Sequence, residues 1–116
     1  MQEINPALFS AFANDQERAF AYKLADVVKQ AVPDLASQPD DAFLAQIRLL
    51  IEEARSYGLF AERTIGVFAI TAGLLGLNFV EDHPAAKDIL TSHDSEFDKA
   101  SMLEEFTVQL FRALDQ

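Results

Sequence analysis

From Thr64 to Val80 the sequence carries no charged side chain. A stretch this apolar has to leave water, either in a bilayer or in a protein core. A membrane span needs about 20 predominantly apolar residues, and this run falls short. It is also interrupted by Thr64, Gly66, Thr71, Gly73, Gly76 and Asn78. The reading is therefore a central helix from about Ala61 to Leu75, stopped by Gly76, apolar nearly all round and enclosed by other helices. Its Gly and Ala positions would let those neighbours approach closely.

The rest of the chain supplies the enclosing helices. Asn5-Pro6 is a cap followed by Pro at the first helical position. Asn14 with Glu17 offers a second start, and Asn14 is expected to be able to break this first helix. A stripe of Phe20, Leu24, Val27, Val28 and Ala31 follows, ended by Pro33. Asp40-Asp41 places two carboxylates at the positive end of a second helix. Its inner face reads Phe43, Leu44, Ile47, Leu50, Ile51, Ala54, and Tyr57-Gly58 ends it.

Beyond the apolar helix, Pro84 opens a short helix capped by Asp82 or His83, with Ala86, Ile89 and Leu90 inward. Ser95 with Asp98 begins the last helix as a variant capping box. Its face is Met102, Leu103, Phe106, Leu110 and Ala113 or Leu114, and Phe111 lies off that stripe as a contact candidate. No stretch alternates as a strand does. The expectation is an all-α, compact bundle of about five helices around a central apolar helix, one domain over residues 1–116.

Half the residues are hydrophobic and ten are Phe, ample material for a core in a chain of this length. There is no Cys, hence no disulfide framework. Met1-Gln2-Glu3 lacks the basic start of a secretory leader, and the expected location is cytoplasmic. The net charge is −10, which repels nucleic acid and anionic membranes and steers in a basic or mixed partner. The nine basic residues are scattered singly along the chain, without a run.

Tests for chemistry give no positive result. Asp94, Glu96, Asp98 and Glu105 occupy positions one, three, five and twelve of a calcium-loop pattern, but Lys99 stands where that loop needs Gly. His83 and His93, without a Cys, do not have zinc spacing. The carboxylate pairs Asp40/Asp41, Glu52/Glu53 and Glu104/Glu105 are adjacent on helices and point about 100° apart, not toward one substrate. No nucleophile elbow, P-loop or dinucleotide fingerprint is present. No catalytic residue, metal ligand or cofactor is assigned, and the expectation is a protein that is not an enzyme.

What remains is surface. Leu59 and Phe60 lie between two helices, Phe79 and Val80 lie in the next turn, and Phe9 and Phe12 lie near the N-terminus. Each either closes the bundle or forms an apolar patch for a partner. Leu59, Phe60, Phe79, Phe9 and Phe12 are the candidate protein-binding residues, and changing Leu59 and Phe60 to Ser is expected to weaken a complex without unfolding the chain.

The order Ala54-Arg55-Ser56-Tyr57-Gly58-Leu59, Glu62-Arg63, the apolar helix to Leu75-Gly76, Asn78-Phe79, Pro84-Ala85-Ala86 and Ile89-Leu90 resembles small bacterial proteins. These are encoded beside the VgrG spike, PAAR-tip or toxin genes of type VI secretion. The likeness covers residues 54–90 and is weaker at both ends. Such families commonly hold a polar or charged residue where Leu59-Phe60-Ala61 stands, so this loop is unusually apolar. The resemblance implies no catalytic residue. It implies a non-enzymatic accessory, a co-chaperone that partners an adaptor chaperone in effector loading. The alternative is an immunity protein neutralising a cognate toxin, which the acidic surface would suit. A homodimer sharing the apolar helix is a further possibility.

Overall fold

The computed structural model describes the backbone of residues 6–115 and the side chains of residues 16–115. The chain forms α1 (Pro6–Ala31), a 3₁₀ turn (Pro33–Leu35), α2 (Asp40–Ser56), α3 (Glu62–Leu75), α4 (Phe79–Asp82), α5 (Pro84–Leu90) and α6 (Glu96–Leu114). No strand occurs among the described residues. The all-α bundle read from the sequence is present, with six helices in place of about five. The extra one is α4, which Asn78 and Phe79 build by accepting the amides of Asp82 and His83 at 3.0 and 2.9 Å. A single turn is too short to show a helical period, so the sequence alone left it as a turn.

Helix α1 runs through Asn14 without a break. One Asn costs at most about 0.7 kcal/mol in a helix interior, too little to divide a long helix. Its buried face is Ala21, Leu24, Ala25 and Val28, continued by Val32, while Val27 and Ala31 are exposed. The face is rotated from the expected stripe toward Ala21 and Ala25, with Phe20 half-buried at its edge. Helix α2 lies antiparallel to α1. Lys29 near the end of α1 pairs with Asp40 at the start of α2 (2.8 Å), and Arg55 near the end of α2 pairs with Glu17 (2.9 Å).

Helix α3 is the hub and touches α1, α2, α4 and α6. Phe68 at its centre is 0 % exposed. The Phe68 ring lies 5.1 Å from that of Phe79 and 6.0 Å from that of Tyr57, both tilted, within the range where aromatic pairs attract. Gly73 lets α1 and the 3₁₀ turn close on α3. A Cβ there would come within 3.1 Å of Val32 Cγ2 and 3.3 Å of Val28 Cγ1. The hydroxyls of Thr71 and Thr107, both buried, donate to carbonyls one turn back, each at 2.8 Å. Burying these residues therefore leaves no polar atom unpartnered.

Candidate protein-binding surfaces

Two places on this bundle have the makings of a binding surface, and the first is the corner between α2 and α3. Helix α2 ends in a Schellman turn. Gly58 adopts φ +83°, its amide donates to Arg55 O (2.9 Å), and the Leu59 amide donates to Ala54 O (3.1 Å). The motif draws Leu59 inward against Ala54, and both are 0 % exposed. Phe60, the next residue, is thrown outward and is 65 % exposed.

The first turn of α6 locks this corner. Ala61, the N-cap of α3, has no side chain able to cap. Glu96 supplies the cap from α6. Its Oε1 accepts from the Ala61 amide (2.8 Å), the Thr64 hydroxyl (2.8 Å) and the Phe60 amide (3.3 Å). Lys99, one turn further along α6, donates to Tyr57 O (2.9 Å) at the end of α2. A carboxylate thus meets the positive end of one helix and an ammonium the negative end of the other. Phe97, between the two clamp residues in sequence, is 56 % exposed. The Ala61 amide above all, then the Thr64 hydroxyl, hold the Glu96 carboxyl below its ordinary range.

The second surface is a trough along α3. Val67, Ile70 and Leu74 recur at helical spacing on a face of α3 that the described helices cover only in part. Helix α1 walls one side with Phe20, Lys23, Leu24 and Val27, enclosing a groove of about 500 Å³. Helix α6 walls the other with Glu104, Thr107 and Val108, enclosing a groove of about 290 Å³. Val67 and Ile70 belong to both grooves. Leu74, Val27 and Val108 are 39, 38 and 44 % exposed, a contiguous apolar strip and not scattered single residues. Charges stand at the rim, including the Lys23–Glu62 pair at 3.3 Å.

Against this geometry the expected binding residues separate. Phe60 is on the surface. Leu59 and Phe79 are corrected: both are fully buried, Leu59 by the Schellman turn and Phe79 by its tilted contact with the Phe68 ring, so neither is available to a partner. The expectation that Leu59→Ser would leave the fold intact falls with it. The side chains of Phe9 and Phe12 lie outside the described residues. The trough residues Val27, Val67, Ile70 and Leu74 were missed. The absence of charge from Thr64 onward predicts a helix enclosed by the others, whereas the uncharged face of α3 is only partly covered.

The grouping of charges also differs from the linear reading. Arg18, Arg48 and Arg55 line a single cleft between α1 and α2, although they are scattered in sequence. Asp94, Glu96 and Asp98 do not converge, since Glu96 is turned to α3. Among the described residues no group of three or more His, Asp or Glu could hold a metal ion. His83 packs edge-on against Phe106, ring centres 5.7 Å apart. No helix among the described residues is long and apolar enough to cross a membrane.

Among the described residues, fold and surface together define an all-α bundle whose central helix keeps an apolar face only partly covered. No protein-family model, curated protein or solved structure matches the chain.

Proposed function

We propose that this chain is a non-enzymatic binding module that receives the apolar face of a partner's amphipathic helix in the trough of α1, α3 and α6. The observation that supports this is the row Val67, Ile70, Leu74 between two helical walls, with Leu74 exposed and Val67 and Ile70 half-buried at the trough floor. A groove between helices with apolar walls and charged rims is the usual seat of such a helix. The resemblance over residues 54–90 suggests the partner, an adaptor chaperone of type VI effector loading, with this chain as its co-chaperone. The net charge of −10 favours a second reading, an immunity protein drawn to a basic toxin.

The test is capture of the tagged chain from its host, run beside the variant Leu74→Asp. An adaptor chaperone recovered with the wild type and lost with the variant supports the first reading. A toxin in tight one-to-one complex, associating more slowly as salt rises, supports the second. The same proteins recovered with both forms would remove the trough from consideration. A wild type that sediments as a dimer and a variant that sediments as a monomer would show that the trough is covered by a second copy.

A further inference from the structure

The arginine cleft between α1 and α2 is independent of the trough. It has a volume of about 310 Å³ and is lined by Arg18, Arg48, Arg55, Glu17, Glu52 and the apolar Phe20 and Ile51. Three of the nine cations of a chain with net charge −10 therefore meet in one place. Three guanidinium groups against two carboxylates leave this lining net positive, while the molecule as a whole is acidic. Arg55 is fixed, bridging Glu17 at 2.9 Å and Glu52 at 3.0 Å. Its contact with Glu17 crosses from α2 to α1, whereas Glu52 lies on the same helix. Arg18 and Arg48 are exposed at its mouth.

We infer that this cleft binds an acidic peptide segment of a partner protein, with Arg18 and Arg48 gripping its carboxylates. A guanidinium offers a planar fork that matches a carboxylate with two parallel hydrogen bonds. Phe20 and Ile51 provide an apolar floor for a neighbouring side chain of the same segment. The volume is at the lower end for ligand sites and suits a few side chains. A nucleic acid fits the surroundings less well. Its phosphates would continue past the cleft over an acidic body, where charges closer than the Debye length of about 8–10 Å at physiological salt still repel. A short acidic segment ends where the positive lining ends.

The experiment is fluorescence anisotropy with three probes: a Glu-rich peptide with interspersed Leu, its Gln counterpart, and a single-stranded oligonucleotide. The wild type should bind the Glu peptide with an affinity that weakens on added salt, and should not bind the Gln peptide. Arg18→Gln/Arg48→Gln should lose about tenfold or more in affinity with an unchanged melting temperature, since both side chains are exposed. Leu74→Asp should leave this binding intact, which separates the cleft from the trough. Equal binding of the two peptides, full affinity in the double variant, or preference for the oligonucleotide would overturn the inference.

Discussion

Glu96 shows how one side chain can hold a corner of this molecule. It caps a helix to which it does not belong, and its folded-state proton affinity records the fact. Donors from Ala61 and Thr64 lower its pKa below the unfolded value, so the ionised form is the one the fold favours. The resulting stabilisation is fully present above the unfolded pKa, near 4.5, and is lost as pH falls through the lowered one. Urea denaturation at stepped pH should therefore show wild-type stability declining in the acid limb. Glu96→Gln should start less stable at neutral pH and decline less over the same interval. Parallel curves for the two proteins would contradict this assignment. Leu59 and Phe60 make the complementary point about adjacent residues. Leu59→Ser should cost about 2–5 kcal/mol, the range for emptying a core site. Phe60→Ser should stay within about 0.5 kcal/mol. Thermal melts of the two variants distinguish them directly.

At the scale of elements, α3 was legible because its signals agree. Its apolar run, the glycine at Gly76 and the acidic Glu62 in its first turn all mark one helix. The Ser95–Asp98 cap was legible too, and the Ser95 hydroxyl accepts the Asp98 amide at 3.1 Å. The rotation of α1 was not legible, because period alone cannot say whether Ala21 or Val27 faces in when two neighbours compete for the helix. Nor was the arginine cleft, which exists only once α1 and α2 pair antiparallel and bring Arg18 beside Arg48. The glycines of α3 give a test of this packing. A Cβ on Gly66 would find only Leu24 Cδ1 at 3.9 Å, an ordinary contact. Gly66→Ala should therefore stabilise the helix by up to about 1 kcal/mol. Gly73→Ala meets stiff β-branched neighbours at Val28 and Val32 and should be the less stable of the two by about 1–3 kcal/mol. Equal melting temperatures would mean that the α1–α3 contact yields more readily than its geometry implies.

At the scale of the whole molecule, the described helices leave one face of the hub only partly covered. Among the described residues no helix is packed over Val67, Ile70 and Leu74. A helix with an apolar face on both sides needs a neighbour on both sides, and the described residues provide the second only in part. The corner at Phe60 and the trough are alternative landing places for a partner, and a charge tells them apart. Placing Asp at Leu74 puts an unpaired carboxylate inside the proposed contact, whereas Ser at Phe60 removes apolar area from the corner alone. The deciding measurement is the affinity of the captured partner for the wild type, Leu74→Asp and Phe60→Ser by isothermal titration. A loss of about a hundredfold for Leu74→Asp, with a much smaller change for Phe60→Ser, is the result this account predicts. Undiminished affinity for Leu74→Asp, with binding abolished by Phe60→Ser, would contradict it and move the site to the α2–α3 corner.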